Sequence, residues 1–240
     1  MNARRDDTGS EGNELKAGGA SGAIGEILGT ARQATANGYR RAKRAWWSLR
    51  YLIAGRKPWT QGYSEYKEKR LSSLLDNKAF LERFLAGGSL PAGYGFRLDE
   101  RIVEYLWVIA RLGPEHHRLL DAGSTLNHQY LLKLPVLRKR SVTIVNLSRE
   151  DVVTRRNVAY VRGDLRRAPF KSESFEEIVC MSTLEHVGMD STAVYSQDRR
   201  FDENRPDDYR LVMRELNRLL RPRGRLYVSV LRAAPGPVRR

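Results

Sequence analysis

The sequence predicts an α/β fold, in which a doubly wound and mainly parallel sheet follows a helical N-terminal extension. First, short apolar runs alternate with helical or loop segments from residue 117 onward, which is typical of parallel strands. Second, polar residues follow several of these runs, at the positions where such sheets bind ligands. Third, apolar residues recur at helical spacing between Gly62 and Gly113.

Five runs of residues predict strands. The first is Leu119-Leu120, and the others are Val142–Leu147, Val158–Val161, Glu177–Ser182 and Arg225–Leu231. A helix is predicted from Tyr209 to Leu220, because its apolar residues recur every three or four positions and a Pro and a Gly follow it. The region from residue 62 to residue 113 is predicted to be mainly helical.

The segment HRLLDAGSTLN, residues 117–127, predicts a strand, a tight turn and the opening of a helix. Gly123 allows a positive φ or a close approach of the backbone to a ligand. Asp121 can accept hydrogen bonds from a ligand, or it can cap the turn that follows. Asp164 has the same two interpretations, because Arg166 and Arg167 follow it and can pair with it.

Residues 118–230 resemble a class I S-adenosylmethionine-dependent methyltransferase, of the small-molecule type often found among cell-surface polysaccharide genes. Five segments carry the resemblance in order: LLDAGS, TIVNLS, VRGDLRRAPFKSESFEEIVC, MSTLEHVG and RELNRLLRPRGRLYVSV. The resemblance implies a Rossmann-like methyltransferase core and S-adenosylmethionine as the cofactor. It also implies methyl transfer to a small hydroxylated acceptor, such as a sugar or a glycolipid.

The family's functional positions carry over to this sequence one by one. The implied cofactor-binding residues are Asp121, Gly123, Ser124, Asn146, Asp164, Leu165, Ser182 and Thr183. Asn146 stands where the family usually has an acid for the ribose hydroxyls, so a charge-assisted hydrogen bond would be lost. Glu185 and His186 match a Glu-His pair at the mouth of the site, where we expect them to assist deprotonation of the acceptor. A structural role for His186 stays open.

The Gly-rich loop from residue 87 to residue 97 lies between two predicted helices. In the resembled family, segments ahead of the first strand commonly cover the site and help to choose the acceptor. Tyr94 and Arg97 are therefore candidate substrate contacts, and a plain linker is the alternative. His116 and His117 have no partners at metal-ligand spacing, so no metal is expected.

The predicted domain boundaries are a disordered tail at 1–31, a basic amphipathic segment at 32–60, a helical cap at 61–116, a cofactor-binding α/β domain at 117–231 and an irregular tail at 232–240. The single cysteine, Cys180, lies within an apolar run and is predicted to be a buried thiol. No apolar run approaches the roughly 20 residues that span a bilayer. We therefore expect a cytoplasmic protein.

The net charge is +15, and its distribution along the chain is uneven. No acid lies between Glu26 and Glu65, whereas eight basic residues do. Within this segment, one helical face is apolar: Ala42, Ala45, Trp46, Leu49 and Ile53. Residues 32–57 are therefore expected to bind an anionic membrane surface, at the inner face of the membrane. A helix docked on the protein with a solvated basic back is the alternative, and a nucleic-acid partner is disfavoured because no recognised motif supports it.

The segment after Val230 has no helix or strand pattern, although the resembled pattern would continue with a helix and two further strands. The sequence is therefore expected to be truncated relative to that pattern. Two hypotheses about function remain, and the first, which rests on the resemblance, is an active methyltransferase. The other is a noncatalytic cofactor-binding or scaffold protein, associated with a membrane surface through its basic segment.

Overall fold

The computed structural model describes residues 38–113, 115, 117–189 and 203–231. The predicted disordered tail at 1–31 and the irregular tail at 232–240 lie outside these residues. The chain divides into two compact units, residues 1–65 and residues 66–240. In the described part of the chain, no helix has both the length and the apolar character needed to cross a bilayer.

In the first unit, residues 38–53 form a helix, α1, and the loop after it folds back on the helix. The Tyr51 hydroxyl donates a hydrogen bond to the Arg56 carbonyl at 2.9 Å, and the Tyr51 ring meets the Tyr63 ring edge-on. Gly62 has a φ of +88°, and a Cβ atom there would lie 2.1 Å from the Trp47 carbonyl oxygen. The loop can therefore approach α1 only because residue 62 has no side chain.

Three helices precede the sheet: α2 (Tyr63–Leu75), α3 (Lys78–Leu85) and α4 (Arg101–Arg111). The mainly helical region predicted from the sequence is present. Asn77 separates α2 from α3, because its side chain accepts a hydrogen bond from the Phe80 amide at 3.1 Å and so caps the second helix. The sequence from Tyr66 to Leu85 carries one broad apolar stripe at helical spacing, and the structure divides this stripe between the two helices.

Five parallel strands form one sheet in the order β3-β2-β1-β4-β5. They are β1 (Arg118–Ala122), β2 (Ser141–Asn146), β3 (Val158–Arg162), β4 (Phe175–Met181) and β5 (Leu220–Ser229). Short helices α5 (Gln129–Leu132) and α6 (Pro135–Arg138) follow β1, and α7 (Tyr209–Leu219) precedes β5. The predicted α/β fold with a helical N-terminal region is confirmed. The strand order reverses at β1 and β4, which is where such sheets bind ligands.

Both faces of the sheet are buried at its central strands. Leu119 belongs to a cluster with residues of α2, α3 and α4, whereas Leu120 packs with Val212 and Leu216 of α7. Because neighbouring residues of a strand point to opposite faces, burial on both sides requires nearly continuous apolar runs. This explains why the strands were readable from the sequence.

β5 begins earlier than the sequence predicted, at Leu220 instead of Arg225. Its pairing with β4 is irregular between Phe175 and Glu177. A Cβ atom on Gly224 would lie 2.9 Å from the Glu176 carbonyl oxygen, so the two strands come too close there for a larger residue. The Pro and Gly that we expected to separate α7 from the strand thus lie within an irregular first part of β5.

A buried ion pair joins β4 to the start of β2. Arg140 Nε lies 2.6 Å from Glu177 Oε2, and neither side chain is exposed. Arg140 also donates hydrogen bonds to the carbonyls of Val136 and Gly113. Because Arg118 pairs with Ser141 in the sheet, this ion pair lies at the amino end of the strands, opposite to the edge where parallel sheets bind ligands.

Candidate functional site

The turn after β1 is organised around the carboxylate of Asp121. Oδ1 accepts hydrogen bonds from the Thr125 amide at 3.1 Å and the Thr125 hydroxyl at 3.0 Å. Oδ2 accepts one from the Leu126 amide at 2.7 Å. Asp121 is fully buried, so in this structure it has the turn-capping role that the sequence left open. Its part in cofactor binding stays a prediction, and it would act through the shape and charge of the turn.

Burial raises the pKa of Asp121 to about 6, although the hydrogen bonds from Leu126 and Thr125 act in the opposite direction. Desolvation therefore outweighs three favourable hydrogen bonds. A carboxyl group with this pKa is partly protonated near pH 6, so a cationic group placed close to it would favour its ionised form.

Gly123 has the positive φ that the sequence allowed for it, and its backbone lies close to Thr183. Its φ is +112°, and a Cβ atom there would lie 2.2 Å from Thr183 Oγ1. Thr183 is held in place because its hydroxyl donates to the Met181 carbonyl at 2.9 Å. The Gly123 amide donates to the Val145 carbonyl at 2.9 Å. The turn after β1 is thus fixed between the end of β2 and the turn after β4, and the predicted φ is confirmed.

Ser124 brings an unforeseen acid into the site. It has a φ of +61°, and its hydroxyl donates a hydrogen bond to the exposed carboxylate of Glu150. Glu150 lies in the loop after β2, four residues beyond Asn146, which is half-buried at the end of that strand. Glu150 is not among the site residues that the sequence indicated. The sequence did hold a signal for it: Asn146 replaces the acid that usually ends the second strand, and the acids Glu150 and Asp151 follow a few residues later.

Asn127 holds this loop against the turn. Its amide group donates to the Asp151 carbonyl at 2.8 Å, and its Oδ1 accepts hydrogen bonds from the Val153 amide and the Tyr160 hydroxyl. Asn127 is one of the two positions, with Thr125, where the resembled family has glycine. Both residues make structural hydrogen bonds here, so the departure from the family pattern replaces glycine flexibility with fixed contacts.

Asp164 is paired with an arginine. Its carboxylate accepts hydrogen bonds from the Arg166 amide at 2.9 Å and from Arg166 Nη2 at 2.6 Å. Burial raises the pKa of Asp164, but the hydrogen bonds from Arg166 outweigh it and the pKa lies below its ordinary value. Leu165 is buried beside it in a 3-10 turn, Leu165–Arg167. These contacts agree with the interpretation that Asp164 pairs with a following arginine. Adenine binding by Asp164 and Leu165 stays a prediction.

A buried carboxylate from α4 joins the ends of β4 and β5. Glu104 Oε1 accepts a hydrogen bond from the Ser182 hydroxyl at 2.7 Å and another from the Ser229 hydroxyl. Glu104 is only 7% exposed, and Ser182 has a φ of +42°. Arg101 donates to the other carboxylate oxygen. Glu104 was missed from the sequence, although an acid within the apolar run IVEYLW is the pattern of a buried, paired carboxylate.

Glu185 and His186 lie in a 3-10 turn, Leu184–His186, directly after the carboxyl end of β4. Glu185 Oε1 accepts a hydrogen bond from the Leu231 amide at 3.1 Å. Its other oxygen, Oε2, is buried, and no residue within the described ranges donates a hydrogen bond to it. The His186 amide donates to the Thr183 carbonyl at 3.1 Å. Both residues are half-buried, and their catalytic roles stay predictions.

The two candidate substrate contacts lie in the helical region. The Tyr94 hydroxyl donates to the Ile102 carbonyl at 2.5 Å, and its ring packs against Phe80 and Phe84. Burial raises the pKa of Tyr94 to about 12. Arg97 lies over the Phe96 ring, 5.2 Å from its centre, with a φ of +56°. These contacts are structural, and a role in binding the acceptor stays a prediction for both residues.

Cys180 is the buried thiol that the sequence predicted, and its burial raises its pKa to about 12. Such a thiol is not available as a nucleophile near neutral pH. Across the ranges that the structure describes, no three His, Cys, Asp or Glu side chains are grouped so that they could hold a metal ion.

Residues 120–228 match a family model described as a methyltransferase domain. The match runs from β1 into β5 and so includes each strand of the sheet. The match likens this part of the chain to a methyltransferase domain, and S-adenosylmethionine is the cofactor that it indicates. A comparison with curated proteins found no match.

Among solved structures, the chain is similar to a SAM-dependent methyltransferase from Methanosarcina mazei, with 16% identity over 50% of this chain and 55% of that one, and a TM-score of 0.35. The PH0226 protein from Pyrococcus horikoshii is 17% identical over 58% and 63% of the two chains, with a TM-score of 0.37. The YcgJ protein from Bacillus subtilis is 22% identical over 47% and 43%, with a TM-score of 0.32. The chain thus spans about half the length of these structures, and at these identities the likeness concerns the fold alone.

The residues at this edge of the sheet fit the groups that S-adenosylmethionine carries. Gly123 leaves no room for a side chain where the turn after β1 meets Thr183. Glu150 offers an exposed carboxylate for hydroxyl groups, and Asp121 places a buried carboxyl group beneath the turn. A ligand with an ammonium group and ribose hydroxyls is chemically suited to such acids.

Proposed function

We propose that the α/β domain binds S-adenosylmethionine at the carboxyl ends of β1, β2 and β4 and catalyses methyl transfer to a small hydroxylated acceptor. The observation that carries this proposal is the turn after β1. The turn is closed by three hydrogen bonds to Asp121 and fits against Thr183 through Gly123, within a region that matches a methyltransferase domain.

Two carboxylates divide the binding of the cofactor in this proposal. Asp121 stabilises the turn after β1, which lies along the methionine end of the cofactor in this proposal. The negative charge of Asp121 favours the ammonium group of that end. Glu150 takes the part of the ribose acid that Asn146 cannot take, because its carboxylate is exposed and lies on the turn through Ser124. A hydrogen bond to a charged acceptor is worth about 1.5–3 kcal/mol, so this replacement preserves most of the affinity.

The acceptor would bind on the side of Glu185 and His186. When bound, the cofactor would supply an electrophilic methyl group for the acceptor oxygen, with the neutral thioether of S-adenosylhomocysteine as the leaving group. Glu185 Oε2, or the His186 imidazole, accepts the proton that the acceptor hydroxyl loses. Most of the rate enhancement would come from holding the two reactants in line.

The acceptor class that we propose is a sugar or a glycolipid. Its support is the resemblance to methyltransferases of the polysaccharide-associated type, carried by the segment VRGDLRRAPFKSESFEEIVC and the Glu-His pair. A hydroxyl acceptor is weakly acidic, which is the case in which a base such as Glu185 or His186 contributes to methyl transfer.

Calorimetry and a transfer assay together test this function. We expect the chain to bind S-adenosylmethionine and S-adenosylhomocysteine, and to transfer a labelled methyl group to a pool of glycans or glycolipids. The double variant Glu185→Gln/His186→Asn should bind both ligands as the parent does and transfer the label at a much lower rate. Binding without any transfer by the parent protein would indicate a noncatalytic cofactor-binding protein, and absence of binding would refute the proposal.

A further inference from the structure

Helix α1 has two different faces. Ser48 and Tyr51 are buried on one side, where Tyr51 contacts Tyr63. The opposite side carries five residues that recur alternately every three and four positions, which we name the α1 stripe: Tyr39, Ala42, Trp46, Leu49 and Ile53. With 3.6 residues per turn, this spacing keeps all five on one face of the helix.

The α1 stripe is exposed. Ile53 is 78% exposed, Tyr39 69%, Trp46 60% and Leu49 48%. Within the first unit, the loop after α1 packs on the other side of the helix and leaves these four large side chains uncovered. A contiguous apolar surface of this kind is typical of a site that binds a partner or a membrane.

Basic side chains border the α1 stripe. Lys43 and Arg50 lie beside Trp46 along one edge of the stripe and are exposed, and Arg50 also lies over the Trp47 ring. No acid occurs between Glu26 and Glu65 in the sequence. The surface is therefore apolar and positively charged at once, and it complements a partner that is apolar inside and negatively charged at its rim.

Two other partners fit this surface less well. A second copy of α1 would bring the same positive charges together, which destabilises pairing. A nucleic acid would contact the basic side chains but would leave Leu49 and Ile53 without an apolar partner. A surface with anionic headgroups above hydrocarbon satisfies both features.

We propose that α1 binds the surface of an anionic phospholipid bilayer. The helix lies in the plane of the interface, with the α1 stripe among the upper acyl chains and Lys43 and Arg50 at the level of the phosphates. Trp59, which is 75% exposed, follows Arg56 and Lys57 in the loop after α1 and adds a second exposed indole to the same unit. This membrane binding is independent of the reaction proposed above.

Cosedimentation of the full chain with vesicles tests the proposal. Binding to phosphatidylcholine vesicles with about 30% phosphatidylglycerol should exceed binding to pure phosphatidylcholine vesicles at least about tenfold, and about 0.5 M salt should remove most of the difference. The variant Trp46→Ser/Ile53→Ser should weaken binding about tenfold or more. Because both side chains are exposed, its melting temperature should match that of the parent protein.

Matched variants distinguish the α1 surface from general stickiness or net charge. Val103→Ser/Leu211→Ser removes two exposed apolar side chains elsewhere and should leave vesicle binding unchanged. Lys43→Glu/Arg50→Glu should reduce binding at least about tenfold. Lys133→Glu/Lys139→Glu makes the same change in net charge at other exposed positions and should reduce it less than about threefold.

Four results would overturn the proposal. The first is equal binding to neutral and anionic vesicles, and the second is parent-like vesicle binding by Trp46→Ser/Ile53→Ser. The third is the absence of vesicle binding together with binding to a DNA duplex that depends on Lys43 and Arg50. The fourth is a dimer in sedimentation equilibrium that Trp46→Ser/Ile53→Ser dissociates. The third would indicate a nucleic-acid partner, and the fourth would indicate an interface between copies of the chain.

Discussion

Thr183 occupies the space that a side chain on Gly123 would need. The Thr183 hydroxyl oxygen would lie 2.2 Å from a Cβ atom on Gly123, and its methyl carbon would lie 2.6 Å away. Gly123 follows β1 and Thr183 follows β4, so this contact fixes the distance between the two turns at the point where the strand order reverses. The shape of the candidate cofactor site depends on it.

Gly123→Ala should therefore damage both the fold and the site. The positive φ and the overlap with Thr183 together should cost about 2–4 kcal/mol in the free energy of unfolding, and S-adenosylhomocysteine binding should be lost. Gly93→Ala is the matched control, because Gly93 has a φ of +71° with no heavy atom within 4 Å of its Cβ position. That control should cost only about 1 kcal/mol and leave binding unchanged. Equal costs in urea unfolding would contradict the role of the Thr183 contact.

The raised pKa of Asp121 predicts a pH dependence of stability. Its pKa in the folded protein is about 6, above the ordinary value of 3.8, so the folded state binds the proton more tightly than the unfolded state does. Its contribution to stability is then greatest below about pH 4 and is lost as the pH rises through about 6, by about 2–3 kcal/mol in total. The difference in unfolding free energy between the parent and Asp121→Asn should fall over this window. A difference that is constant or increases with pH would be incompatible with a raised pKa.

Glu150 should carry the affinity for the ribose end of the cofactor. Glu150→Gln should weaken S-adenosylhomocysteine binding by about 1.5–3 kcal/mol in calorimetry, because a charge-assisted hydrogen bond becomes a neutral one at best. Asn146→Asp, made in the Glu150→Gln protein, should restore most of the loss. The neighbouring exposed acid gives the control, and Asp151→Asn should leave affinity unchanged. If Asp151→Asn has the same effect as Glu150→Gln, the ribose assignment fails and only local charge is at work.

Glu104 should couple the ends of β4 and β5. Glu104→Ala leaves the hydroxyls of Ser182 and Ser229 without their common acceptor and opens a space in the core, so unfolding should become easier by about 3 kcal/mol. In a double-mutant cycle with Ser182→Ala, the coupling energy should be about 1–2 kcal/mol. Glu82→Gln, at an exposed acid of α3, should change stability by less than about 0.5 kcal/mol. A coupling energy near zero would show that the hydrogen bond contributes little to stability.

The central strands could be predicted from the sequence because burial on both faces requires nearly every residue of such a strand to be apolar. Leu119 and Leu120 enter different clusters, and each had to be apolar. The turn at Gly123 was predictable for a similar local reason. The division of the Tyr66–Leu85 stripe at Asn77 also has a local cause, because Asn77 caps the second helix. The regular spacing of the apolar residues on both sides made the helix appear continuous in the sequence.

The polar contacts of the site could not be predicted in this way, because they join distant parts of the chain. Glu104 is separated by 78 residues from Ser182 and by 125 from Ser229, and no local pattern pairs them. Glu150 reaches Ser124 across 26 residues through a loop without helical or strand periodicity. Residue type at a strand end identified Asp121 and Asp164 as important, but only the structure distinguishes a carboxylate that faces a ligand from one occupied by its own turn or by Arg166.

The buried ion pair at the amino end of the sheet provides the last prediction. Arg140 and Glu177 are both fully buried, and Arg140→Met would leave the Glu177 carboxylate without its charged partner. We expect this variant to lose about 3–5 kcal/mol in urea unfolding, because an unpaired buried charge is much more costly than a missing pair. The double variant Arg140→Met/Glu177→Leu should recover most of that loss.

Arg118 and Glu176 form a neighbouring but more exposed pair at 3.2 Å, which provides the control. Arg118→Met should cost less than about 1 kcal/mol in the free energy of unfolding. Similar losses for Arg140→Met and Arg118→Met would mean that burial does not set the strength of the Arg140–Glu177 interaction.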